Sequence, residues 1–126
     1  MTRINCGIKP SELSNKHLLA EHREIKRIPN CIKKGRYNLS GIPNEFTLGT
    51  GHVKFFYNKL GYLRARYIRL YAECISRGFK VESYMDSFIG LPTKLLGHYK
   101  PKEKDRKLLI ERLKEKDLEF YKNLDI

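Results

Sequence analysis

The chain has 126 residues, 40% of them hydrophobic, and its 26 Lys and Arg outnumber 14 Asp and Glu to give a formal charge of +12. This length supports one domain with one modest core, no apolar run approaches the ~18 residues of a membrane span, and the N-terminus carries no secretory pattern. So large a surplus is self-repelling until a polyanion relieves it, and cations spread from Arg3 to Lys122 favour nucleic acid over a membrane surface.

Taken in chain order, the first element is a helix beginning near Ser11 to Ser14, whose hydroxyls suit an N-cap, and ending before Lys33-Lys34-Gly35. Leu18, Ile25, Ile28 and Ile32 recur at helical spacing and are expected to face the core. Pro29 lies inside that pattern without a backbone donor, which predicts a kink or an early end there. A second stripe holds His17, Glu24, Arg27 and Cys31, with Arg23 beside it, at the edge of the exposed face. Residues 35–51 carry Gly35, Gly41, Pro43, Gly49 and Gly51 without a sustained period and read as an irregular connection.

The second helix is the clearest. Phe56, Leu60, Leu63, Tyr67, Leu70 and Cys74 step by four and three into a continuous apolar seam. Lys59, Arg64, Arg66 and Arg69 fall on its other faces, and Arg77-Gly78 supplies a favourable end. Residues 79–100 are loop-like, and a third helix is expected from around Pro101 to about Leu118, with Leu109 and Leu113 inward. Strand alternation and internal repeats are lacking. The expected fold is all-α: a single compact domain over residues 1–126, three main helices with long irregular loops. Cys6, Cys31 and Cys74 are odd in number and widely spaced, so they read as reduced thiols in a cytosolic or nuclear setting, not as a zinc site or a disulfide framework.

Three groups near the N-terminus bear on chemistry. Thr2 follows the initiator Met and is small, so aminopeptidase trimming is expected to leave it as the true N-terminus. An α-amine has a reference pKa of about 7.7–8.0 against about 10.4 for lysine. Near pH 7.5 roughly a quarter to two-fifths of it is neutral, and Arg3, Arg23 and Arg27 disfavour its protonation further. Such an amine needs little tuning to form an imine. Glu24 reads either as a solvated helix glutamate paired with an arginine or as an anion that opposes positive charge developing on a sugar. Arg23 and Arg27 suit phosphate, because the guanidinium fork grips it bidentately; the plainer alternative is a solvated basic face. His52, in the Gly51-His52-Val53 turn, is expected to anchor the second helix.

The order of these groups carries a resemblance. Met1–Asn5, His17–Arg27, the run Phe46-Thr47-Leu48-Gly49-Thr50-Gly51-His52-Val53-Lys54-Phe55-Phe56-Tyr57-Asn58-Lys59-Leu60, the stretch Ala72–Phe79 and more faintly Phe120-Tyr121-Lys122 resemble the phage endonuclease V family of pyrimidine-dimer DNA glycosylases. The resemblance implies a monomeric glycosylase and abasic-site lyase with no metal or cofactor, acting on double-stranded DNA that contains pyrimidine dimers or abasic sites. It places the enzyme in the cytoplasm, or wherever the DNA resides, with no membrane or obligate protein partner.

By the same resemblance Thr2 and Glu24 match the catalytic amine and carboxylate. The amine attacks the anomeric carbon of the dimer's 5′ pyrimidine, and the imine permits β-elimination. Arg3, His17, Arg23 and Arg27 match positions that bind DNA phosphates or help assemble the site; Lys16, where a glutamine is usual, joins them as a DNA contact. Tyr121 and Lys122 correspond to an aromatic-basic tail against the damaged duplex; for the aromatics a packing anchor at the C-terminus is an equal alternative. The chain lacks the tryptophan usual in the family. Two other functions fit the same features: a glycosylase or lyase for a different damaged base, and a non-catalytic binder of bent or damaged DNA.

Overall fold

The computed structural model describes residues 2–126, and among them all regular structure is helical. Helix α1 (Asn15–Glu24) starts where the hydroxyls predict, with the Ser14 side chain accepting from the His17 amide. It ends at Glu24, and α2 (Arg27–Lys33) resumes after a two-residue turn. Pro29 explains the placement. Its ring clashes with the carbonyl four residues back, that of Ile25, so the break falls at Ile25–Lys26 and the proline occupies the first turn of α2, where no donor is required. Leu18, Ile25, Ile28 and Ile32 are all buried, as their spacing predicts. Gly35, at φ 70°, closes α2 by donating to Ile32, while Arg36 donates to Cys31.

The apolar seam from Phe56 to Cys74 is buried throughout, but it is not one helix. A single turn, α3 (His52–Phe55), is separated from α4 (Leu60–Ser76) by an irregular step. There Lys59 pairs with Leu96 in an isolated antiparallel bridge, and the Tyr62 amide donates to the Gly97 carbonyl. The two backbones approach so closely that a Cβ on Gly97 would stand 2.3 Å from the Asn58 oxygen, and one on Gly61 would stand 2.8 Å from that of Leu96. Only glycine fits at either position. Gly78, at φ 82°, ends α4 with Phe79 donating to Cys74.

Helix α5 (Glu103–Lys116) starts two residues after Pro101, fixed by Asp105 accepting from the Lys102 amide at 2.9 Å and from the Tyr99 hydroxyl. Leu109 and Leu113 face inward as expected. A last turn, α6 (Leu118–Tyr121), follows the Asp117 cap and packs on α5. The fold is thus all-α, its three main helical bodies being α1–α2, α4 and α5. Cys6 and Cys74 are buried and Cys31 half-buried, all three as free thiols. No helix among the described residues is long and apolar enough to cross a membrane.

The N-terminal segment runs through the core: Ile4, Cys6 and Ile8 are at most 1% exposed. Helix α1 packs on α4, and residues 5–8 are bonded to both. Asn5 Nδ2 donates to Glu21 of α1 at 2.7 Å, and Arg66 of α4 donates to the Ile8 carbonyl at 2.8 Å. Arg66, placed by periodicity on an outer face of its helix, is 7% exposed and forms a bidentate ion pair with Glu21, itself 2% exposed. Burial alone would make the guanidinium easier to deprotonate; the Glu21 carboxylate reverses that and keeps it charged.

Candidate active site

Two clamps fix the N-terminal segment. Besides the Asn5–Glu21 bond, the Ile4 amide donates to His52 Nε2 at 2.9 Å. The His52 ring is 4% exposed, and its Nδ1 lies 2.8 Å from the Thr47 carbonyl. An amide donor on one nitrogen and a carbonyl acceptor on the other leave one tautomer: neutral, with the proton on Nδ1. Burial drives the His52 pKa down to about 4, which agrees with that neutral form. His52 opens α3, and Phe46 and Phe56 pack edge-on against its ring. Its anchoring role thus extends beyond the helix expected from sequence to the N-terminal segment.

Thr2 is buried, three residues before the Asn5 clamp, so its Cα lies within about 11 Å of that of Asn5. Glu24 ends α1 one turn beyond Glu21, the partner of Asn5. The segment that carries Thr2 and the helix that carries Glu24 are therefore tied together through one glutamate. Glu24 is partly shielded, at 15% side-chain exposure, and its ion pair with Arg23 is loose, 3.6 Å from an arginine that is 57% exposed. A carboxylate so held remains available to a second cation.

The cations fall into two groups. Lys16, Arg23 and Arg27 are exposed along α1 and the start of α2. Arg3 is half-buried, donating to the Leu48 carbonyl, and its pKa is lowered first by burial and then by Arg112 of α5. The His17 pKa is lowered in turn by burial, by Arg112 and by Lys16. Arg112 thus brings its charge to bear on both Arg3 and His17, a convergence that sequence reasoning missed although Arg112 adjoins the inward-facing Leu113. The guanidinium charges of Arg3 and Arg112 act on a common region beside a His17 ring held towards its neutral form, and an anion there would relieve them.

At the C-terminus the structure separates two neighbours. Tyr121 is 1% exposed; its hydroxyl accepts from the Ser14 amide at 2.9 Å and bonds to His17 Nδ1 at 2.7 Å and Ser14 Oγ at 3.2 Å. A ring with no free face cannot stack on a base, so the expected duplex contact is corrected: Tyr121 is a packing anchor that holds the His17 ring and caps α1. Phe120, 55% exposed, and Lys122, which reaches Glu119 at 3.3 Å, remain on the surface. Among the described residues no three His, Cys, Asp or Glu side chains gather as metal ligands.

Asn5, Glu21, His52 and Arg66 were not assigned to the site from sequence. No local signal marks them, because each acts through a partner 16 to 58 residues away.

The helical domain thus combines a clamped N-terminal segment, a partly shielded carboxylate and a surplus of cations, which suits an anionic partner. The chain belongs to the pyrimidine dimer DNA glycosylase family, whose sequence model matches residues 1–87. It is thereby a DNA-repair glycosylase that excises pyrimidine dimers. The matched span contains Thr2, Glu24 and both clamps, and ends before α5, α6 and the tail.

Proposed function

We propose that the enzyme removes the dimer and nicks the strand as a monomer, using the α-amine of Thr2 as nucleophile and Glu24 as the opposing carboxylate. The observation carrying this reading is the burial and double clamping of residues 2–5 against the helix that bears Glu24. Frayed, idle N-termini are the rule. Holding one costs chain entropy and makes physical sense where the terminal nitrogen itself is used.

In the reaction, the neutral amine's lone pair forms a bond to C1′ of the 5′ nucleotide as the C1′–base bond breaks. The pyrimidine leaves with that electron pair and takes up a proton. Glu24 opposes the positive charge that appears on the sugar, as carboxylates do in glycoside cleavage. Opening of the C1′–O4′ bond gives an iminium, which acidifies the C2′ proton. Loss of that proton expels the 3′ phosphate by β-elimination, and water then releases the amine. Arg3, Lys16, Arg23, Arg27 and Lys122 contact phosphates, His17 orients the site, and reaching the sugar requires the stack to be disturbed.

Borohydride reduction tests this directly. With dimer-containing or abasic duplex the trimmed protein should become covalently joined to cleaved DNA, and peptide mapping should place the adduct on Thr2. Thr2→Ser should retain activity, because only the backbone nitrogen reacts; Thr2→Pro should be impaired. An adduct on an internal lysine, or full activity with Met1 still attached, would falsify the assignment.

A further inference from the structure

The Thr2 amine has no side chain to aim it; its direction is set by the backbone that follows. Two residues on, the Ile4 amide donates to a histidine ring nitrogen inside the core, an unusual acceptor for a backbone N–H. The ring is held to this task, because its other nitrogen is bonded to Thr47 and the Phe46 and Phe56 rings pack edge-on against it. The Asn5–Glu21 clamp fixes the next residue, but it acts through an amide side chain with its own torsional freedom. The His52 bond holds the main chain itself.

We propose that His52 is a positioning residue of the glycosylase, fixing the main chain at Ile4 so that the Thr2 amine meets the C1′ carbon at a productive angle. This rests on the reading of Thr2 as nucleophile. A displacement of about 1 Å at a reacting atom can cost on the order of a hundredfold in rate, and two residues of unclamped backbone easily allow that much. His52 touches neither substrate nor amine in this role. It acts only through Ile4.

The two ring nitrogens can be separated by substitution. His52→Asn sets an amide near the Nδ1 position, keeping the donor to Thr47 while losing the acceptor for Ile4. His52→Gln reaches to the Nε2 position and restores an acceptor. Borohydride-trapping rates are measured under single-turnover conditions on an abasic duplex, beside affinity for a duplex with a reduced abasic site. His52→Asn should trap roughly ten- to a hundredfold more slowly with affinity unchanged, and His52→Gln should recover most of the rate.

A second construction avoids any packing change. A synthetic Thr2–Asn5 peptide in which the Ile4 amide is replaced by an ester can be ligated to the chain beginning at Cys6. This removes the one N–H and leaves His52 in place. The ester protein should show the same slowing against its all-amide counterpart. Trapping within twofold of the all-amide protein would overturn the proposal, as would a loss confined to DNA affinity. If the native protein itself gave no Thr2 adduct, the nucleophile assignment would fail instead, so the two failures are distinguishable.

Discussion

The buried Glu21–Arg66 pair offers a sharp test of how this fold is held. Arg66 donates from Nε and Nη2 to the two oxygens of Glu21, and from Nη1 to Ile8; Glu21 also accepts from Asn5. Removing one partner strands a charge where water cannot reach it, which costs about 3–5 kcal/mol. Glu21→Gln should therefore lose about that amount, as should Arg66→Met. The double change Glu21→Leu with Arg66→Met leaves no charge behind. Its cost is the Ile8 carbonyl and Asn5 amide left without partners, about 1–3 kcal/mol each. The double variant should thus lose about 2–6 kcal/mol, against about 6–10 expected from adding two single losses. Urea denaturation with linear extrapolation measures each term, and a companion Glu21→Leu single variant completes the cycle. A domain of this size has only about 5–15 kcal/mol to lose, so the single variants should melt well below the native protein. Strict additivity, or a Glu21→Gln loss under about 1 kcal/mol, would refute the view that the pair is desolvated and mutually dependent.

Glu24→Gln should retain binding to dimer-containing duplex while base release falls by at least a hundred- to a thousandfold, about the usual effect of losing a well-placed electrostatic stabiliser; unchanged turnover would return Glu24 to the solvated helix surface. Affinity for undamaged duplex should fall steeply with salt, and Arg23→Gln or Arg27→Gln should each reduce the log–log slope by about 0.9, whereas a salt-independent affinity would contradict the reading of those exposed cations. Stability should depend on pH through His52, whose folded pKa of about 4 lies below the ordinary value of 6.5. Between those values the unfolded chain binds the proton and the folded chain does not, so stability is full above pH 6.5 and is lost as pH falls towards 4. The loss from this group is about 3 kcal/mol at about 1.4 kcal/mol per unit. His17 and His22, also lowered by burial, act in the same direction, so the comparison is made with His52→Gln: its urea midpoint should change less between pH 7.5 and 4.5, and an equal change in both proteins would show that His52 is not the group responsible.

The three main helical bodies and their principal inward faces were legible from residue order, because those follow from local rules. Apolar residues at steps of three and four must share one face, Ser14 can satisfy an amide only at a helix start, and Gly35 and Gly78 can take the left-handed turn that stops one. The order of residues from Met1 to Arg27 and from Phe46 to Leu60 was enough for the family, and through it for the candidate amine and carboxylate. Local rules could only mark a charged or polar residue as exterior. That marking failed at Arg66, and at Tyr121 the sequence left duplex contact and packing anchor as equal alternatives; in both, a partner far along the chain repays the lost hydration: Glu21 at a separation of 45 residues, Ser14 and His17 at 107 and 104. The same holds for His52 and Ile4, 48 residues apart. Whether a polar group can be buried depends on what meets it in space, and no periodicity within one helix encodes the identity of a residue on another. Only the packing of distant elements threaded residues 4–8 between α1 and α4, and so held that segment in a defined place.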